Sequence, residues 1–253
     1  MQDSRVLVFD LRGTWAHFRK VYTNSSSLTY AFPPRTTIVG LVAGILGRPR
    51  DCYYEEFSCD RCRVAVSIRI PSRRLVQTVN YIRTKGDWRG KPTPVPVEFV
   101  VPASQGEQLH YRVFLGHADA HLMTEVKSLL LDGRSKFPPY LGITECPGTA
   151  VLVDGEARAS EVDPSLLEPL ALATVIPVSL VGPENLALSV GTCIMKEDRV
   201  PLEFSSDRRI TRIGDFLYER SGGTILVKPA RSVYRFEYRE SGTALTEWGA
   251  FMQ

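Results

Sequence analysis

The sequence predicts an α+β fold: a β-α-β-β-α-β unit with an inserted hairpin arm, then a smaller strand-rich unit. Three observations predict it. An apolar stripe at helical spacing follows a strand-like run near the N-terminus, a second such stripe follows residue 119, and a basic segment rich in Gly and Pro interrupts the strands between them. The chain has 253 residues, 43% hydrophobic, 9% aromatic and 23% charged, enough to bury a sizeable core and too apolar for a disordered chain.

Residues 5–11, RVLVFDL, are β-branched and apolar until Gly13 breaks the run, which reads as a buried first strand. The segment 14–30 mixes aromatic, basic and hydroxyl side chains and reads as a loop. Pro33 and Pro34 fix an extended approach to a helix, because a residue before proline avoids the α region. In TTIVGLVAGILG, Ile38, Leu41, Val42, Ile45 and Leu46 form one stripe, with Thr36 or Thr37 as N-cap and Gly47 as the stop. Gly40 and Gly44 inside it cost roughly 1 kcal/mol each relative to alanine, so a close approach is expected there, with the helix pressed onto a sheet.

Val64, Val66, Ile68 and Ile70 alternate as a half-buried strand, and a second strand covers residues 75–82. Between residue 82 and the strand PVEFVVP, Gly86, Gly90, Pro92 and Pro94 permit a hairpin tip, which gives an arm over about residues 72–100. Residues 109–115 alternate again, and Asp119 can cap a helix through Leu122, Met123, Val126, Leu129 and Leu130 to Gly133. TAVLVDG closes the unit, so residues 1–155 read as a ferredoxin-like (RRM-like) domain with the arm as an insertion. Residues 156–253 read as a smaller β-rich domain, with strands expected at 175–181, 188–195, 224–227 and 233–238.

The 31 Lys and Arg against 28 Asp and Glu give only +3, yet residues 1–100 hold 16 basic and 8 acidic side chains (+8) and the remainder 15 and 20 (−5). That asymmetry points to a polyanion partner for the N-terminal part. No run approaches the ~18 apolar residues that span a bilayer, and the N-terminal residues do not read as a secretory signal, so a cytoplasmic protein without membrane contact is expected. Five cysteines, an odd number, fit reduced thiols.

The chemistry-bearing side chains cluster. In the first loop Arg12, His17, Arg19 and Lys20 interleave with Trp15, Phe18 and Tyr22, the mixture that holds single-stranded nucleic acid by charge and stacking, although Trp15 and Phe18 also suit core packing. The arm offers Arg73, Arg74, Arg83, Lys85, Arg89 and Lys91 with Tyr81 and Trp88. An aromatic residue at a basic tip favours nucleic-acid or partner contact over a plain turn. Cys52, Cys59 and Cys62 lie within eleven residues, and the Cys59-x-x-Cys62 pair has the bite of a zinc knuckle; with no fourth ligand nearby, free thiols are the default and no metal or cofactor is assigned. Metal-independent RNA cleavage needs an acid and a base, for which His17, His110, His117 and His121 are the available imidazoles.

Three segments, FDLRGTWAHFRKVYT (9–23), FPPRTTIVGLVAGILG (32–47) and PPYLGITECP (138–147), resemble the CRISPR-associated five family of repeat-associated RNA-binding proteins in type I Cascade complexes. The Pro-Pro-Arg-Thr-Thr stem before a Gly-interrupted helix is the most specific of the three. The resemblance implies a ferredoxin-like domain with a thumb hairpin, a subunit that caps the 5′ handle of the CRISPR RNA (crRNA), and contacts with the backbone and large Cascade subunits and, through the complex, target DNA. Carried onto this chain, it puts Arg12, His17, Arg19, Lys20, Tyr22, Thr23 and Asn24, then Arg35, Thr36, Thr37 and Gly40, and the Tyr140-Leu141-Gly142 turn around the handle, with Arg83 and Trp88 near the thumb tip. One branch cuts precursor RNA with a Tyr and a Lys-His pair. No adjacent Lys-His occurs here, and the N-terminal motif looks more like the type I-B branch, in which a separate endonuclease makes the cut. A non-catalytic RNA-binding subunit is therefore expected, with an endoribonuclease and a zinc-stabilised interaction module as the alternatives.

Overall fold

The computed structural model describes residues 3–23, 27–84, 86–87, 89–163, 168–187 and 191–253. Asn24, Lys85 and Trp88 lie outside the described residues. Strand β1 (Asp3–Gly13) leads into a loop holding the short pair β2 (Phe18–Arg19) and β3 (Thr29–Tyr30). Next come helix α1 (Arg35–Leu46), β4 (Cys62–Ile68), β5 (Ser72–Ile82), β6 (Pro92–Pro102), β7 (Leu109–His117), α2 (Ala120–Leu131) and β8 (Gly148–Val162). The remainder is β9 (Leu170–Leu172), β10 (Ile176–Pro177), β11 (Val181–Ala187), β12 (Ile194–Phe204), β13 (Ile210–Glu219), β14 (Ile225–Pro229), β15 (Val233–Glu240) and β16 (Thr243–Gly249).

Nine strands form one mixed sheet in the order β11-β14-β9-β16-β15-β8-β1-β7-β4. It curls until the chain beyond its late strands meets its far edge: Met252 N–H donates to Val64 O at 2.8 Å and Val175 N–H to Val66 O at 2.7 Å. β1 lies between β7 and β8, antiparallel to both, and is covered on both faces. Leu7, Phe9 and Leu11 join the core with Ile38, Val42 and Ile45 of α1 and Leu122 and Val126 of α2, while Val6 and Val8 pack with Phe114, Ala159, Phe236 and Phe251. Two-sided burial is the reason RVLVFDL reads as a nearly continuous apolar run. β10, β13 and β12 form a separate sheet, and β5 with β6 forms the arm, paired in register from Ser72↔Pro102 to Ile82↔Pro92.

The sheet does not part between residues 155 and 156. β8 runs through that point, paired with β1 on one side and β15 on the other, so the expected two-domain division falls inside a strand. The start of α1 also differs. Pro34 occupies the N-cap position, its carbonyl accepting from the amides of Thr37 and Ile38, and Thr36 and Thr37 sit in the first turn. At the other end Gly47 takes the left-handed conformation (φ 75°) that stops the helix, as its position suggests. Gly40 and Gly44 do not face the sheet. A side-chain carbon at Gly40 would lie 3.2 Å from the Tyr53 hydroxyl, and one at Gly44 3.9 Å from Phe137. Residues 136 and 137 cross that face, donating their amides to Ile45 O and Gly44 O. In α2, the Asp119 carboxylate accepts from the amides of His121 and Leu122, the anticipated cap. No described helix is long and apolar enough to cross a membrane.

Candidate nucleic-acid interface

Three separate stretches meet beside the end of β1. The loop after β1 is fastened to the arm's return strand by reciprocal backbone bonds between Ala16 and Val100 and by Glu98 N–H to Ser27 O; His17 N–H reaches across to Leu141 O at 3.0 Å. Leu141 N–H in turn bonds Cys146 O, closing the 140–147 turn. Gly142 is needed for this approach: its φ is +95°, and a side-chain carbon there would lie 2.1 Å from His17 O. The first loop, the arm root and the Tyr140 turn are thus brought together.

Within that junction the predicted residues divide into those facing solvent and those holding the fold. Trp15, Arg19, Tyr22 and Tyr140 are exposed. Trp15 leans edge-on against Phe99 of β6 with ring centroids 5.1 Å apart, so it is an anchored, half-open ring. Arg12 is half-exposed, 3.4 Å from the Asp10 carboxylate, and Arg19 spans back to Thr23 O. Tyr22 carries the Arg199 guanidinium 5.3 Å from its ring centre, a cation–π pair between the loop and β12.

His17 is buried. Its Nδ1 lies 2.6 Å from Glu98 O, which requires a proton on that nitrogen, so Nε2 accepts from the Ser27 hydroxyl at 3.0 Å. Burial pushes its pKa below the usual imidazole value, and the ring stays neutral with both nitrogens occupied. His117 is bound likewise, Nε2 donating to Glu56 O and Nδ1 accepting from Asp119 N–H. Thr23 bonds its own loop at Lys20 O, and Leu141 is core.

Two cations expected at the surface are committed inside. Arg35 is 1% exposed, and its guanidinium donates to the carbonyls of Leu202, Phe57, Ser58 and Cys62 at 2.6–2.9 Å. It ties the start of α1 to the segment before β4 and to β12, so the Arg35 expectation is corrected to a structural role. The start of α1 beside it faces β12, with Thr36 Oγ1 3.5 Å from Pro201 O, and Thr37 and Gly40 are only partly open. Lys20 places Nζ 2.6 Å from Glu197 Oε2, and Arg74 of the arm binds Oε1 of the same carboxylate. Ala31 N–H also donates to Oε1, at 3.3 Å. Glu197, itself buried, therefore pins the first loop and the arm root to β12. Sequence reading missed it, as it missed Arg199, because their strand carries Lys196, Glu197, Asp198 and Arg199 in a row and shows no alternation.

Along the arm, Arg73, Tyr81, Arg83, Arg89 and Lys91 are exposed, with Arg83 Nε donating to Thr93 Oγ1 across the ladder. The arm is less uniformly basic than its sequence implies: Val76 and Ile82 are 61% and 68% exposed. Cys59 and Cys62 are buried and Cys52 exposed; burial pushes the Cys62 thiol up to about 12 and raises Cys59, whose sulfur faces Leu202 O. Among the described residues no group of three His, Cys, Asp or Glu side chains could hold a metal ion.

The fold is similar to that of a crystal structure of a CRISPR protein from Archaeoglobus fulgidus, at 11% identity over 96% of this chain and 99% of that one, TM-score 0.53. A chain of a CRISPR RNA-guided surveillance complex is more distant in shape (15% identity, 89% and 91% covered, TM-score 0.47), as is one from the Type III-B Cmr-beta complex with cognate target RNA and AMPPnP (9%, 87% and 86%, 0.49). No curated protein matches the chain. The protein belongs to the family described as CRISPR-associated protein (Cas_Cas5), whose sequence profile matches residues 6–216.

Proposed function

We propose that the chain is a non-catalytic, crRNA-associated subunit of a type I Cascade complex, seating the 5′ handle of the RNA on the junction of the first loop, the arm root and the Tyr140 turn. The order β8-β1-β7-β4, with α1 and α2 on one face, supports reading residues 3–162 as a ferredoxin-like unit. The observation that carries the reading is the division of labour in the junction. His17, Lys20 and Thr23 are spent on holding the loop, which leaves Trp15, Arg19, Tyr22 and Tyr140 outward on a backbone fixed at both sides. Outward rings and guanidinium groups on a rigid loop suit splayed, single-stranded nucleotides, by stacking and phosphate contact. The basic arm lies beside this junction and would follow the backbone of the same strand.

The same geometry supports taking two of the four candidate imidazoles out of acid–base service. A general acid or base needs a nitrogen free to exchange a proton with the reacting oxygen, and both nitrogens of His17 and of His117 are engaged within the protein. This fits the type I-B-like branch, in which a separate nuclease supplies the RNA. Backbone and large subunits of the complex are the expected protein partners, and target DNA is met through the assembled particle. The test is to incubate purified protein with precursor repeat RNA in EDTA. Retention of intact RNA, with the handle bound in preference to DNA of the same sequence, is expected. Site-specific cleavage abolished by His17→Ala or His117→Ala would identify an endoribonuclease instead.

A further inference from the structure

The arm has two edges, and only one is protected. Arg83 N–H donates to Lys91 O at 3.2 Å, which makes the odd-numbered residues of the β5–β6 ladder its hydrogen-bonded pairs. The backbone groups of even-numbered residues therefore point outward. On β6 those positions are Pro92, Pro94 and Pro96, which have no N–H to offer, followed by Glu98 and Val100, whose amides are taken by Ser27 O and Ala16 O. On β5 they are Ser72, whose amide donates to Arg220 O at 3.4 Å, then Arg74 at the root, and beyond it Val76, Thr78, Asn80 and Ile82, these last four all exposed and without a proline or a charged side chain among them. Among the described residues no backbone group pairs with them; the Gln77 side chain alone reaches Thr78 O, at 3.5 Å.

We propose that the Val76–Ile82 edge of β5 receives an extended strand from another polypeptide, a neighbouring protein subunit, by main-chain pairing. A row of alternating donors and acceptors at strand spacing matches a second peptide backbone; the phosphate backbone of a nucleic acid, whose oxygens only accept, does not reproduce that alternation. Val76 and Ile82 add apolar contact for cross-strand side chains. A second copy of this chain is disfavoured, since the antiparallel register that sets Val76 opposite Ile82 puts Arg83 opposite Leu75 and diagonal to Arg73, bringing guanidinium groups of the two copies together at both ends of the seam. Six basic residues against one acid over 72–92 point to a strand flanked by acidic side chains. Protein edges left open in this way invite pairing, and the prolines on β6 show how the other edge avoids it.

The proposal rests on the chain being a subunit of a multi-protein complex, and the test separates the two. Amide hydrogen exchange is measured on the chain alone, on the chain with crRNA, and on the complex reconstituted with its cognate subunits. The amides of Val76, Thr78, Asn80 and Ile82 slow at least tenfold in the complex and are unchanged by RNA. Thr78→Pro with Asn80→Pro, which mimics β6 and spares the inner ladder, lowers incorporation at least tenfold while RNA affinity stays within twofold; Thr78→Ala with Asn80→Ala incorporates normally. An assembled complex whose edge amides exchange as in the free chain overturns the proposal alone, as does protection by RNA alone, concentration-dependent protection of the isolated chain, or normal incorporation of the proline variant. A wild-type chain that joins no complex overturns both readings.

Discussion

Removing Glu197 should loosen the first loop and the arm root together, and the size of the effect follows from its partners. The carboxylate is 1% exposed and Lys20, 2.6 Å away, only 11%, so Glu197→Ala strands a largely desolvated ammonium. Breaking a buried pair from one side costs about 3–5 kcal/mol, and the slight exposure of Lys20 argues for the lower end. Arg74 is 37% exposed and can turn to water, so its loss adds little. The orphaned Ala31 amide adds about 1 kcal/mol. The total, about 4 kcal/mol, is a large part of the 5–15 kcal/mol that holds a typical domain. Glu197→Gln keeps the shape and an acceptor for Ala31 and should cost about half as much. Urea unfolding at pH 7 reads both as a lower midpoint with an unchanged slope. In a cycle with Lys20→Met the double variant should recover about 2 kcal/mol relative to the sum of the singles. A loss under about 1 kcal/mol for Glu197→Ala, with additive singles, would refute the latch.

Other consequences follow from the same contacts. Arg35→Lys replaces a fork that reaches four carbonyls with a single ammonium and should cost about 3 kcal/mol in urea, yet leave the RNA affinity of the folded fraction unchanged. Gly142→Ala meets both the positive φ and His17 O and should lose at least about 2 kcal/mol, whereas Gly133→Ala, at φ 62° with nothing within 4 Å, should lose about 1 kcal/mol. Burial would raise the Asp10 carboxyl, but hydrogen bonds and charge from His110 and Arg112 overcome it and hold the group well below the usual carboxylate range. Its folded pKa is depressed, so its contribution is full above about pH 4 and fades as pH falls further. Asp10→Asn should therefore unfold more easily than wild type in urea at pH 7, with the gap narrowing by pH 2–3.

What could be read from the sequence was local. The stripe Ile38 to Leu46, the Asp119 cap, the Gly47 stop and the alternation in β4 and β7 each depend on neighbours within a few residues, and each element formed where its pattern lay. The arm was legible from its turn residues and alternate prolines. The strands β12 and β13 were not, since charge runs and Pro201 mask their period and their stability comes from packing on Phe32 and Tyr30 far upstream. The site showed the same limit. A cation beside aromatic residues looks alike whether it faces solvent or a buried acceptor, and the partner of Lys20 lies 177 residues away while those of Arg35 lie 22 to 167 residues away. Glu197 could have been suspected only as an acid with no cation at helical or cross-strand spacing.

The seat of the RNA is best tested by photo-crosslinking. Handle nucleotides carrying 4-thiouridine, assembled with the full complex and irradiated, should attach to peptides covering residues 12–23, 140–147 or the arm. A competing surface exists at the opposite end of β1, a cleft of about 490 Å³ lined by Ser4, Arg61, Arg63 and His117. Crosslinks confined to that cleft, or absent from this subunit altogether, would contradict the account.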